Sequence, residues 1–302
     1  MEITPVMDTA SPLNEQFRTP SGIQTLTLGD TKLTYVPDGQ ATLNARILLS
    51  AATDEYWAEH AEYLDEDGHL VAGVGGLLVE RDGRALLIDA GMGPTEVRSP
   101  QMGVITGGKL LDSLATLGHS PEGIEAVALT HLHPDHAGWS WHPAPGSDRP
   151  AFTEAAFLIT ESEWEDRHEH EIPGLSEKIT LGDLAKPMEP QVRTVTDGEE
   201  IFPGVQVRFA PGHSHGHAAY VINAGGKRVI AFGDAFHTPL QITHPLWENA
   251  LDHDHRQATS LRHSLVRELA DPDTIGFGIH FSRPFGSVRI EDGRSVWHPI
   301  DA

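Results

Sequence analysis

His131-Leu132-His133-Pro134-Asp135-His136 comes one residue after the apolar run Ala126-Val127-Ala128-Leu129. Four consecutive apolar residues before a polar cluster read as a short buried strand. Three imidazoles and a carboxylate therefore leave the end of that strand together. These are the nitrogen and oxygen donors that borderline divalent cations take. A lone histidine is usually a satisfied core residue, but four candidate ligands within six positions suit one or two bound cations.

Other strand ends offer further donors. Pro211-Gly212-His213-Ser214-His215-Gly216-His217 follows an expected strand over 205–210, Gly233-Asp234 follows 228–232, and Gly278-Ile279-His280 closes 275–278. Glycine beside each candidate lets the backbone turn tightly and come close to an ion. Ligands from separate strands meeting at one sheet edge are what a two-metal site requires.

Away from these motifs the pattern alternates strand and turn. Strands are expected over 24–28 and 32–36, then a turn at Pro37-Asp38-Gly39. Residues 51–65 carry a helical pattern. The strands 71–80 and 85–88 are joined by a hairpin turn at Arg81-Asp82-Gly83, and the loop Asp89-Ala90-Gly91-Met92-Gly93 follows. Helices are expected over 110–117, stopping at Gly118, and over 161–168, 176–184 and 254–269. The last has Ala258, Leu261, Leu265, Val266 and Leu269 on its apolar side. Further strands fall at 157–160, 191–195, 200–201, 218–222, 288–290 and 295–297. Strand-rich runs that each close with helix predict an α+β chain of two packed sheets with helices outside. Residues 1–20, polar with three prolines, read as an extended N-terminal arm, and 21–302 as a single domain.

Composition narrows the function. The 302 residues carry 21 Lys and Arg against 44 Asp and Glu, a net charge of −23. Such a field repels nucleic-acid phosphates and anionic lipid, so neither is an expected partner. With no cysteine, thiolate ligands, cysteine nucleophiles and disulfides are excluded, leaving 19 histidines as the softer donors. No run is long and apolar enough to span a bilayer and no leader pattern opens the chain, so a cytoplasmic location is expected.

The order of the hexapeptide 131–136, Pro211-Gly212-His213, Gly233-Asp234 and His280, with the loop at Asp89-Ala90-Gly91, resembles the metallo-β-lactamase superfamily over about 71–285. The resemblance implies an αββα sandwich of two mixed sheets flanked by helices. It also implies a first metal on His131, His133 and His213, a second on Asp135, His136 and His280, and Asp234 between them. Zn²⁺ is the expected ion, with Mn²⁺, Fe²⁺ or Co²⁺ as options. The implied chemistry is hydrolysis by a hydroxide shared between the metals, its pKa brought to about 7, with Asp135 as a proton relay.

Within the superfamily, Gly233-Asp234-Ala235-Phe236-His237, Gln241 and His280-Phe281 are similar to the methyl parathion hydrolase and acyl-homoserine lactonase branch. The expected substrate is a small apolar ester or lactone. Phosphotriester hydrolysis, a glyoxalase II-like thioesterase and a mononuclear iron persulfide dioxygenase stand as alternatives. Acyl-homoserine lactonases carry Tyr where this chain has His237, so His237 is open to two readings, donor to a substrate oxygen or structural residue. Trp139, Phe236 and Phe281 are candidate walls of a substrate pocket, with Trp141 and Phe285 as further aromatic neighbours. His215 and His217 are expected behind or beside the ligands rather than among them, and His244, His253, His255 and His263 on the surface. The arm suggests a homodimer.

Overall fold

A computed structural model describes residues 17–168 and 179–301. Its first sheet is built from β1 (Gln24–Leu28), β2 (Thr31–Asn44), β3 (His69–Arg81), β4 (Arg84–Ile88), β5 (Glu96–Ser99), β6 (Gly103–Thr106), β7 (Ala126–Ala128), β8 (Ala156–Thr160) and β9 (Val192–Val195). The second holds β10 (Glu200–Phe202), β11 (Val205–Phe209), β12 (Ala218–Ala224), β13 (Lys227–Ala231), β14 (Thr274–Phe277), β15 (Phe285–Glu291) and β16 (Arg294–Pro299). The first runs β5-β6-β2-β3-β4-β7-β8-β9, with β1 added on β2, and the second runs β10 to β16 in chain order. Pairing is parallel from β4 through β9 and between β13 and β14, and antiparallel elsewhere, so both sheets are mixed.

Three apolar layers follow from strand alternation. Leu77 and Val79 of β3 face Val207, Tyr220 and Ile222 across the gap between the sheets. Leu78, between them in sequence, points the other way, into the layer that takes Leu110 and Leu114 from one helix and Ala137 from another. On the outer face of the second sheet Leu265, Val266 and Leu269 of the helix His255–Leu269 pack on Ile230 and Phe232. Asp254 caps that helix by accepting the N–H groups of Arg256 and Gln257, a cap worth about 1 kcal/mol. This is the αββα sandwich expected from the sequence.

Several expectations are corrected. Pro37-Asp38-Gly39 is not a turn. It lies inside β2, which runs on to Asn44 and absorbs the kink as a bulge opposite Val74 and Gly75. Strands β5 and β6 were missed because each is four residues long and carries no alternating apolar pattern. The pattern over 51–65 resolves into a helix Asp54–Glu59 and a 3₁₀ turn Ala61–Tyr63. Arg262 sits fully buried on the helix face expected to be apolar. The helix expected over 176–184 appears as Leu181–Ala185, with 176–178 outside the described residues. Most of the N-terminal arm, residues 1–16, lies outside them too. No helix among the described residues is long and apolar enough to cross a membrane.

Candidate metal centre

The C-terminal ends of β7, β13 and β14 and the loop after β11 open on one edge of the sandwich. Beyond β7 the chain turns into the helix Pro134–Trp141, with Pro134 in its first turn where no N–H is needed. That helix sits backbone to backbone on the 89–93 loop, because a Cβ on Gly138 would lie 2.0 Å from the Met92 carbonyl oxygen. Beyond β13, Gly233 takes a φ of 52° while its missing Cβ leaves room for His217, and this aims Asp234 inward.

Asp234 is the centre of the arrangement. Its Oδ2 lies 3.2 Å from His213 Nε2 and 3.7 Å from His131 Nε2, and His133 Nδ1 is 3.0 Å from His213 Nε2. Its Oδ1 lies 2.9 Å from His280 Nε2 and 3.1 Å from His136 Nε2. Asp135 Oδ2 completes that side, 3.7 Å from His136 Nε2 and 3.9 Å from His280 Nε2. Two donor groups result, His131, His133, His213 and Asp234 on one side, Asp135, His136 and His280 on the other. The seven residues named from the sequence are all brought together.

Groups behind the imidazoles decide which nitrogen faces inward. His280 Nδ1–H donates to the Gly73 carbonyl, 2.8 Å away, and His136 Nδ1–H donates to Asp89 Oδ2 at 2.9 Å. The Thr130 hydroxyl donates to Asp89, so it accepts from His131 Nδ1, 3.0 Å away. One carboxylate, Asp89, thus orients two histidines of the donor groups, one directly and one through a hydroxyl. It does so with a φ of 60°, a left-handed conformation that Asp tolerates better than most residues. Buried Asp252 lies 3.5 Å from His213 Nδ1 and pairs with Arg262 at 3.0 Å. Glu163 joins the two ligand loops, accepting from Leu132 N–H, the Ser214 hydroxyl and Gly216 N–H. His217 donates from Nδ1 to the Ala210 carbonyl and accepts the Asp234 N–H on Nε2, which places it behind the centre. Burial pushes its pKa down to about 3.

The inner nitrogens of His136 and His280 therefore present lone pairs to a carboxylate oxygen about 3 Å away. Lone pair against lone pair is repulsive, and the contact makes sense only with a cation or a proton between the atoms. His131 Nε2, His136 Nε2 and Asp234 Oδ1 are all buried with no hydrogen-bond partner. The titration tendencies agree. Burial pulls His136 down, but the charges of Asp234, Asp135 and Asp89 outweigh it and hold its pKa well above the ordinary histidine value. His280 is raised in the same way, chiefly by Asp234. His131 and His133 fall well below it through burial and neighbouring imidazoles. Burial opposes ionisation of Asp234, yet His136, His280, His237 and His213 together hold its carboxyl well below the usual range. The donor set fits two divalent cations sharing Asp234.

His237 joins this centre, its Nε2 3.1 Å from Asp234 Oδ2. The aromatic expectations fare unevenly. Phe281 borders a small cavity of about 20 Å³ beside His237 and His280, whose other walls include Phe17, Leu43, Leu48 and Leu70. Trp139 does not line it. Its ring is in the layer under the first sheet and its Nε1–H donates to Asp38. Phe236 is also interior, packed edge-on against Phe232 with ring centres 5.1 Å apart. Closeness in sequence to a ligand says nothing about which side of the backbone a ring takes. Trp141 and Phe285 are core as well. His215 is exposed and paired with Asp166, and His253, His255 and His263 are exposed as expected. His244 is not a plain surface residue, since it is half-buried and stacks on Trp247 at 4.0 Å. Sequence reading named Asp89 only as part of a loop motif, without its supporting role, and missed Glu163 and Asp252, which carry no local signal.

The chain matches the family described as the metallo-beta-lactamase superfamily over residues 76–278. Among curated relatives, an N-acyl homoserine lactonase of Bacillus cereus is 28% identical over 164 residues, 48% of this chain and 56% of the relative. The match thus spans only about half the length of that lactonase. Another N-acyl homoserine lactonase, from a Bacillus species, is 27% identical over 63% of this chain and 70% of its own. Among solved structures, AidC, described as a dizinc quorum-quenching lactonase, aligns with a TM-score of 0.79 at 22% identity, over 93% of this chain and 98% of its own. The hydrolase AbOPH aligns with a TM-score of 0.74 at 22% identity, over the same shares. At that identity the two structures speak for the fold.

Proposed function

Because the chain belongs to the metallo-β-lactamase superfamily, we propose that it is a binuclear metal-dependent hydrolase of small, apolar lactones or esters. One observation carries this reading. A single buried carboxylate, Asp234, has imidazole nitrogens against both oxygens, and those of His136 and His280 turn their lone pairs toward Oδ1. Curated relatives named as lactonases support the lactone as substrate class.

His131, His133 and His213 would hold one ion, Asp135, His136 and His280 the other, and Asp234 both. The all-nitrogen-and-oxygen set suits zinc. Two such ions, when bound, supply Lewis acidity to a carbonyl oxygen and acidify the attacking water. This chain's own residues do the remaining work. Asp135, with 15% of its side chain exposed, is the most open carboxylate of the centre and is placed to take and return a proton. His237 presents Nε2 beside Asp234 and serves as hydrogen-bond donor to a substrate oxygen. Phe281, Leu43, Leu48 and Leu70 give the neighbouring cavity an apolar lining. Such walls disfavour a charged group, and because the space of about 20 Å³ between them holds little more than a water, an acyl chain would have to part them.

The test is metal analysis and a substrate panel on one preparation. Two zinc ions per chain with turnover of lactones or aryl esters is the expected result. One iron per chain with oxygen uptake would overturn the hydrolase reading. Turnover confined to thioesters or phosphotriesters would overturn the substrate class.

A further inference from the structure

His237 touches the metal centre with one nitrogen, and a buried amide stands behind the other. Asn249 is fully buried, and its Nδ2 lies 2.8 Å from His237 Nδ1. The orientation of the amide is determined by its other end, because Asn249 Oδ1 accepts the Leu251 N–H at 2.9 Å. The NH₂ group is therefore the end that meets the ring. An amide NH₂ can only donate, so His237 Nδ1 must accept. A neutral imidazole that accepts on Nδ1 carries its proton on Nε2.

The surroundings leave the pair little freedom. The His237 backbone N–H donates to Gln241 Oε1 at 2.7 Å. The segment bearing Asn249 is held by Arg262, which donates to the carbonyls of Pro245 and Trp247 and pairs with Asp252. At the inner end, Nε2 is 3.1 Å from Asp234 Oδ2 yet makes no hydrogen bond. His237 also borders the cavity next to Phe281. A donor proton that makes no aligned hydrogen bond with the shared carboxylate, and that stands beside the neighbouring cavity, is positioned for an oxygen that arrives from outside.

We infer that Asn249 is a positioning residue that locks His237 in its Nε2–H tautomer, so the centre always offers substrate a hydrogen-bond donor there. The lock has a second consequence. A protonated Nε2 has no lone pair, so His237 cannot add itself to the first metal as an extra ligand and crowd out substrate. The catalytic part of this inference rests on the hydrolase reading, but the tautomer does not.

The zinc-loaded full-length protein with ¹⁵N-labelled histidine tests it directly. Nitrogen NMR, with the His237 signals assigned by their loss in His237→Phe, should show Nε2 protonated and Nδ1 bare. Asn249→Asp keeps the Leu251 contact but offers only acceptors, drawing the proton to Nδ1. That variant should lose about ten- to a hundredfold in kcat, with KM and zinc per chain little changed. In cobalt-substituted protein it should also alter the visible spectrum as His237 gains a ligating lone pair. The double variant with His237→Phe should be no slower than His237→Phe alone, since the amide acts only through the ring. A proton on Nδ1 in the wild type, wild-type kcat in Asn249→Asp, or additive losses in the double variant would overturn the lock. The wild-type spectrum decides even if Asn249→Asp fails to fold. A wild type with the proton on Nε2 but no lactone or ester turnover supports the lock and overturns the hydrolase reading alone.

Discussion

Two buried carboxylates, Asp38 and Asp234, face opposite electrostatic surroundings. Asp38 is fully buried within β2 and accepts five hydrogen bonds. Oδ1 takes Gly108 N–H, Leu110 N–H and Trp139 Nε1–H, and Oδ2 takes Met92 N–H and Gly93 N–H. Asp234 is nearly as buried, but its Oδ1 looks at histidine nitrogens that themselves offer lone pairs. A charge taken out of water has to be met by dipoles or by countercharge. Asp38 is met by dipoles and acts as an internal pin, tying β2 to the 89–93 loop, the start of the helix at Leu110 and the helix of Trp139. Asp234 is left for cations, so its site is made for binding. Burial and residue type are shared, and only the donor arrangement tells a structural acid from a functional one.

The same substitution at both positions breaks the comparison most severely. Asp234→Asn should lower kcat/KM by at least about a thousandfold, because the shared anion of the two-metal site is removed. Zinc content should fall with it, while the metal-free protein should lose less stability than Asp38→Asn costs, because the imidazoles that Asp234 leaves behind can return to the neutral form. Atomic absorption and denaturant titration of the stripped protein check both halves. Retained turnover in Asp234→Asn would remove that residue from the shared position.

Asp38→Asn should do the reverse. Its NH₂ group must face at least two N–H donors, leaving them unsatisfied, at about 1–3 kcal/mol each. A loss of about 3–5 kcal/mol in unfolding free energy is expected, with zinc per folded chain retained. If stability were unchanged and metal lost, Asp38 would belong to the centre rather than to the frame.

Acid sharpens the contrast at smaller cost. His136 and His280 are held above the ordinary histidine value, so protons compete with metal for their inner nitrogens before that value is reached on the way down. The apparent zinc affinity should therefore begin to fall above pH about 6.5 and continue to fall as pH drops. Dialysis against metal-buffered solutions across that range reads it. An affinity that stays flat until well below that pH would contradict the arrangement around Asp234 Oδ1.

The smallest effect is expected from His215→Ala. His215 is exposed and pairs with Asp166 away from both donor groups. Zinc per chain and kcat should match wild type within about twofold, as surface ion pairs contribute little. Loss of one zinc would mean that the ligand in the 211–217 loop had been chosen wrongly.

Much of the centre was legible in the residue order. His131, His133, Asp135 and His136 follow one strand so closely that no fold could scatter them, and the Gly-flanked His213, Asp234 and His280 each close a recognisable strand. The supporting groups were not legible for a physical reason. Asp38 looks like a turn residue because Pro-Asp-Gly satisfies local turn chemistry. Its real donors come from 54 to 101 positions away, and no local pattern can encode that. Trp139 and Phe236 were misplaced because sequence distance from a ligand leaves open which face of the backbone a ring occupies.

Residue order alone, then, determined the donor chemistry and the strand ends that bear it, since both are properties of short contiguous segments. Tertiary structure alone decided which nitrogen of each imidazole turns inward and which buried acid is answered by N–H dipoles and which awaits metal. Those outcomes depend on Asp89, Gly73, Asn249 and their like arriving from remote parts of the chain, and hydrogen-bond direction acquires meaning only once such groups are within about 3 Å of each other.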